Sequence, residues 1–196
     1  MNEKKEIRSI EFRVSAAEGS RTVEGYALLF NTDSTPMGWS GDWVERIAPG
    51  ALDGVLERSD VLCLLNHDES RGVLARWRQG EGSLQLEVDD KGLLYRFEAP
   101  NTALGDELLE GIRRDDIASS SFAFTVEDEE WLKRNDNTYE RIIKRFGQIY
   151  DVSPVYRPAY EDTTVAVRRL DEMSREEKRG ILKSYYEQVE KKFRHG

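Results

Sequence analysis

The chain has 196 residues, 38% of them hydrophobic and 34% charged, with 29 Lys and Arg against 38 Asp and Glu. That length suits one hydrophobic core of ordinary size, and a net charge of -9 argues against nucleic acid as the main ligand, because phosphate contacts need clustered Lys and Arg. No run approaches the roughly 18 apolar residues of a membrane span. The charged start Met1-Asn2-Glu3-Lys4-Lys5-Glu6 predicts no signal peptide, and the single cysteine, Cys63, fits a reducing cytoplasm.

In chain order, the first hundred residues read as β structure. Ile10, Phe12 and Val14 alternate with polar neighbours, Ala17-Glu18-Gly19-Ser20 turns the chain, and Val23 to Phe30 returns as a strand. The next twenty residues, with Pro36, Gly38, Gly41, Pro49 and Gly50, read as loop, followed by a short helix over Gly50–Leu56. Val61-Leu62-Cys63-Leu64-Leu65-Asn66-His67-Asp68 is an apolar run ending abruptly in polar residues, a buried strand that delivers an imidazole to its exposed end. Ser83–Val88 and Leu93–Glu98 flank Asp89-Asp90-Lys91-Gly92 as a hairpin. A helix is predicted from about Thr102 to Arg114, capped by Asn101 or Thr102, with Leu104, Leu108 and Ile112 as its apolar stripe. Then come a strand over Ser121–Val126, a polar excursion through Arg134–Thr138, and one or two strands from Tyr139 to Val155. Beyond Asp171, Ile181, Leu182, Tyr185, Tyr186 and Val189 recur at helical spacing among many charges. The predicted organisation is a main domain over 1–170 and a charged helical extension over 171–196, which either docks on a partner or packs on its own domain.

Three kinds of chemistry compete. A zinc site lacks ligands, since there is one cysteine, no Cys-x-x-Cys or His-Glu-x-x-His spacing, and only one histidine, His67, outside the charged tail that holds His195. The acidic run Glu127-Asp128-Glu129-Glu130 reads as a solvated loop. A glycosidase-like carboxylate pair cannot be singled out among 38 acids. The third kind is nucleophilic catalysis on His67, since histidine is the usual general base near neutral pH. Ser119-Ser120-Ser121 opens a strand and offers hydroxyls at its start; such a serine needs a base, and the base needs an orienting group. Against this stand a strand-end histidine bonded to a loop and a serine turn that caps free backbone groups.

Five segments come in an order that resembles the prohead maturation proteases of tailed bacteriophages. They are Tyr26-Ala27-Leu28-Leu29-Phe30-Asn31, Glu45-Arg46-Ile47-Ala48-Pro49-Gly50-Ala51-Leu52, Leu65-Asn66-His67-Asp68, Ser121-Phe122-Ala123-Phe124, and Asp151-Val152-Ser153-Pro154-Val155-Tyr156-Arg157-Pro158-Ala159-Tyr160. The resemblance runs from about Ile10 to Val167. It implies an α+β fold like that of the herpesvirus assemblins, a mostly antiparallel β-barrel surrounded by helices, here with the helical C-terminal extension. It also implies a serine endopeptidase that cuts scaffold and capsid-protein segments, and often itself, inside the immature capsid in the host cytoplasm. No cofactor, metal, nucleic acid or membrane is implied.

Carried over, His67 is the general base and Ser121 the nucleophile, in a motif where the family usually has Met-Ser-Phe-Gly-Phe. Ser120 then stands where methionine is usual, and Ala123 replaces the glycine. The family's usual Glu before Val-Ser is Asp151 here, expected as the orienting carboxylate, with Glu140 as the fallback. Pro154 and Pro158 keep structural roles, and Tyr160, Thr163 and Thr164 pack or cap. The rival expectations are a scaffold or capsid-assembly module that kept the fold without turnover and, more distantly, a glycoside hydrolase.

Overall fold

One long hairpin organises the molecule, because its two strands, of 15 and 17 residues, are the longest among the described residues. The computed structural model describes residues 4–10, 14–16, 19–38, 41–156 and 175. Its strands, in chain order, are β1 (Glu6–Ile10), β2 (Ser15–Ala16), β3 (Thr22–Leu29), β4 (Trp43–Ile47), β5 (Asp60–Cys63), β6 (Ala75–Arg78), β7 (Glu81–Gly82), β8 (Leu84–Val88), β9 (Gly92–Glu98), β10 (Ser119–Lys133) and β11 (Tyr139–Val155). A single α-helix, α1 (Ala103–Arg113), precedes β10, and short 3-10 turns occupy Pro49–Leu52, Leu56–Arg58 and Glu69–Arg71. These elements all belong to one unit, Met1–Glu161.

The hairpin of β10 and β11 lies at the centre of a seven-stranded sheet. β1 pairs antiparallel with the free side of β10, while β4 and β5 pair with β11 in the parallel sense, and β6 and β7 continue outward from β5. A second, antiparallel sheet has the order β2-β3-β9-β8. Side chains from both sheets share one core, which includes Val23, Leu28, Leu84, Tyr95, Phe97, Phe122, Phe124, Phe146 and Val152. On β10 the alternation is decisive. Phe122 and Phe124 stack at 4.9 Å, and Phe146 meets Phe124 edge-on at 5.1 Å. Burying those two rings on one face turns Ser121 and Ala123 to the other.

The closed barrel surrounded by helices is therefore not the fold. The seven-stranded sheet ends at β1 and β7, which do not pair with each other, and the two parallel strands make it mixed. Among the described residues α1 is the one α-helix element. The sequence misleads where a strand draws its partner from far away. Trp43–Ile47 lies in the segment read as loop, yet it pairs with Tyr139–Ile143, about a hundred residues on, and tertiary pairing overrides the Gly and Pro around it. The run Glu127–Glu130 is strand, not solvated loop, because β11 sets basic side chains against it. Lys144 Nζ lies 2.6 Å from Glu130 Oε2 and Arg141 Nε 2.7 Å from Glu129 Oε2.

Other expected elements are present with small shifts in their bounds. The hairpin of β8 and β9 closes on Asp89, whose carboxylate accepts from the Lys91 and Gly92 backbone N–H groups at 2.8 and 2.9 Å. Thr102 caps α1 by accepting from the Gly105 N–H at 3.3 Å, a device worth about 1 kcal/mol. Leu108 and Leu109 are buried, with Leu104 and Ile112 packed at the edge of the core. The expected extension at 171–196 lies outside the described residues apart from Arg175, as do Pro158, Tyr160, Thr163 and Thr164.

Candidate active site

β5 sets up the site by ending early. After Cys63 the chain stays pinned to β11 through Leu64 N–H to the Val152 carbonyl at 3.3 Å and Asn66 N–H to the Pro154 carbonyl at 3.0 Å. Asn66 and His67 then both take left-handed backbone, with φ of 56° and 60°. Asn tolerates this region well; for a histidine it costs about 1 kcal/mol. The reversal swings the imidazole back over the hairpin. Asp68 secures the next turn by accepting from the Ser70 N–H at 3.0 Å and the Ser70 hydroxyl at 2.6 Å. Arg71 in that turn pairs with Glu107 of α1, and Glu107 also accepts from the Tyr156 hydroxyl at 3.0 Å, so the turn, the helix and the end of β11 are tied together.

His67 lands between two expected partners. Its Nδ1 lies 2.5 Å from Asp151 Oδ1 and its Nε2 lies 2.6 Å from Ser121 Oγ. Asp151 comes from β11 and Ser121 from β10, where Ser121 is in register with Ser153 and Ala123 with Asp151. The structure thus brings Ser121, His67 and Asp151 into one chain of hydrogen bonds. It does not bring Glu140 or Ser120 there: Glu140 pairs with Arg46 and Arg134, at 3.2 and 3.4 Å, and the Ser120 hydroxyl lies 2.9 Å from the Tyr95 hydroxyl in the core.

Burial falls steeply across the three. Ser121 has no exposed surface, the Asp151 side chain is 2% exposed and the His67 side chain 16%. Burial works to raise the Asp151 pKa, yet the hydrogen bond and charge of His67, the Ser153 hydroxyl and the Lys5 ammonium together hold it below the usual carboxylate value. The carboxylate is therefore an anion facing the imidazole. Cys63 is fully buried, and burial together with the Asp151 charge pushes its thiol well above the ordinary value, so it stays protonated and unreactive.

The proton count at Ser121 is informative. The hydroxyl carries one proton, and it has two acceptors in reach, His67 Nε2 and the Arg8 carbonyl oxygen at 2.8 Å. With a neutral imidazole protonated on Nδ1, the hydroxyl donates to Nε2. With an imidazolium, Nε2 donates to the hydroxyl oxygen, and the proton turns to the Arg8 carbonyl. Either state of His67 leaves the Ser121 hydroxyl proton with an acceptor.

The sequence reading missed three contributors. Lys5 Nζ lies 3.2 Å from Asp151 Oδ2, and the Ser153 hydroxyl donates to Asp151 Oδ1 at 2.8 Å. Ser153 was findable, because a residue two positions from Asp151 on a strand shares its face. The Arg8 carbonyl is main chain and has no sequence signature.

The family model for caudovirus prohead serine proteases matches residues 5–177. The chain belongs to that family. Its members are peptidases of capsid maturation, and that role holds for this chain. Among solved structures, the bacteriophage T4 capsid assembly protease gp21 is similar, at 11% identity and a TM-score of 0.48, over 78% of this chain and 97% of that one. No curated protein matches.

Proposed function

We propose that this member of the prohead protease family is a serine endopeptidase that cuts scaffold and capsid-protein segments within the immature capsid, in the host cytoplasm. Ser121 is the nucleophile, His67 the general base and acid, and Asp151 the orienter. One observation carries the reading: a single imidazole bridges a buried hydroxyl at 2.6 Å and a buried carboxylate at 2.5 Å through its two different nitrogens. Glycoside hydrolysis needs two carboxyl groups flanking a sugar bond, and here one carboxylate serves the imidazole.

The steps follow from those contacts. Ser121 Oγ attacks the substrate carbonyl carbon while its proton passes to His67 Nε2. The resulting imidazolium is stabilised by Asp151 through Nδ1–H. Collapse of the tetrahedral intermediate breaks the C–N bond, and the leaving amine takes the proton from Nε2. Water then attacks the Ser121 ester with His67 again as base, releasing the acid and restoring the serine. No step calls for a cofactor.

Ser121 has no exposed surface, so a substrate engages it only after the covering groups shift. The proposal includes self-association as the event that opens the site, with specific activity rising with enzyme concentration. The test is a serine-directed fluorophosphonate with mass-spectrometric mapping. Labelling at Ser121, abolished by Ser121→Ala, supports the reading. An unlabelled, folded wild-type chain that still binds scaffold points to the non-catalytic assembly module instead.

A further inference from the structure

We propose that Ser153 and Lys5 are positioning residues of this site, each holding one oxygen of Asp151 so that the carboxylate stays aimed at His67. The inference rests on the roles just given to Ser121, His67 and Asp151.

The geometry is specific. Ser153 follows Asp151 by two residues on β11, so both side chains leave the same face of the strand. Its hydroxyl donates to Oδ1, the oxygen that also meets His67 Nδ1, and Ser153 has no exposed surface. Ser153 is also in register with Ser121, which places it beside nucleophile and orienter at once. Lys5, just before β1, reaches the other oxygen at 3.2 Å, with its side chain 44% exposed and the Asp151 side chain 2% exposed. Its ammonium also sits 5.2 Å from the centre of the Tyr150 ring, which limits where the chain can swing.

The physical need is clear from the carboxylate's freedom. The terminal torsion of an aspartate is broad, so a partner on one oxygen alone leaves the group free to rotate. Two partners on Oδ1 and one on Oδ2 remove that freedom. They also keep the group an anion in a buried place, and only an anion stabilises the imidazolium that forms during the reaction. Ser153 supplies direction and Lys5 supplies charge.

The probe is a fluorophosphonate, used at saturating and sub-saturating concentrations on the full chain. Ser153→Ala is expected to lower the maximal labelling rate about ten- to hundredfold, the scale of a lost hydrogen bond to a charged group, with an unchanged half-saturating concentration. The low-field proton resonance of His67 Nδ1–H should shift or broaden in the same variant. Ser120→Ala removes an equally buried hydroxyl that bonds Tyr95, and it should change neither rate nor resonance. Lys5→Met should slow labelling by about two- to fivefold and blunt the slowing that added salt causes in the wild type. Should Ser153→Ala fail to fold, Ser153→Cys, near in size and a weak donor, carries the same test. A Ser153 variant that labels at the wild-type rate with an unmoved resonance overturns the positioning role. Undiminished labelling in Ser121→Ala overturns instead the reading on which it rests.

Discussion

Two buried polar clusters lie on opposite faces of β1 and β10, and they are built on opposite rules. Arg8 is in register with Phe122 and Ser9 with Ser121, so Arg8 and Ser121 face away from each other. On the Arg8 face, Arg141 Nη1 lies 2.7 Å from Glu6 and 2.8 Å from Glu45, Arg141 Nη2 lies 2.5 Å from Glu129, and Arg8 Nε lies 2.8 Å from Glu45. Burial opposes the Arg141 charge, but the surrounding glutamates push its pKa up, so the guanidinium is permanently ionised. Arg8 and Arg141 each face two or more carboxylates there, and such planar, multiply paired partners fix the geometry. On the Ser121 face one hydroxyl proton has two acceptors, and the imidazole has a partly exposed edge. The first cluster holds the strands; the second keeps a proton free to move. Both are buried polar groups, so burial alone does not mark a reactive site, and the surplus of acceptors over protons does.

The sharpest way to break this contrast is to remove the mobile proton or its carrier. Ser121→Ala or His67→Ala should lower peptide cleavage by about four to six orders of magnitude with the fold intact, because these groups act as a unit. Asp151→Asn should cost about ten-thousandfold by permitting the wrong tautomer. Turnover measured on a scaffold-derived peptide, beside circular dichroism to confirm folding, checks both. Near-normal cleavage by Ser121→Ala would remove Ser121 from the role, and Ser120, whose hydroxyl is bonded to Tyr95, would be the next serine to substitute.

The saturated cluster should answer in stability. Arg141→Met leaves the buried carboxylates of Glu6 and Glu45 to share Arg8, two anions against one cation, and breaking a buried pair from one side costs about 3 to 5 kcal/mol. Replacing Glu6, Arg8, Glu45 and Arg141 together with apolar residues of similar volume should cost far less, since the carboxylate that loses its partner, Glu129, is 25% exposed and water reaches it. Urea unfolding of the two variants separates them. Equal losses would mean that the cluster contributes net attraction beyond mutual neutralisation.

What was legible beforehand follows the same division between local and distant causes. The alternation of Ser121-Phe122-Ala123-Phe124, the Thr102 cap and the Asp89 turn are encoded within a few residues, and each took its expected form. The convergence of Ser121, His67 and Asp151 came from a family resemblance, since no spacing along the chain states that β5 ends beside β11. The barrel expectation failed at β4 and β5, whose parallel pairing with β11 is set by partners about ninety to a hundred residues away. The ion cluster was invisible for the same reason: Glu6 meets Arg141 across 135 positions. Asp151 stands where the resemblance implies a glutamate, and its shorter side chain meets His67, which the reversal at Asn66 and His67 brings to the strand.

The smallest effect tests whether Asp151 is held as an anion in the resting protein. Its pKa lies below the ordinary value because the partners outweigh burial. A carboxyl depressed on folding contributes stability that is present in full above its unfolded pKa and is lost as pH falls through the folded one. Asp151→Asn lacks that contribution at every pH. The difference in stability between wild type and Asp151→Asn should therefore shrink as pH falls below about 4. Asp33, Asp60, Asp68 and Asp89 are also depressed, by partners of their own, but they are common to both proteins and cancel in the difference. Urea midpoints at closely spaced pH values give the curve. A difference that stays constant down to about pH 2 would show that the carboxyl gains nothing from His67, Ser153 and Lys5 in the folded state, and the contrast between a fixed cluster and a poised one would lose its electrostatic basis.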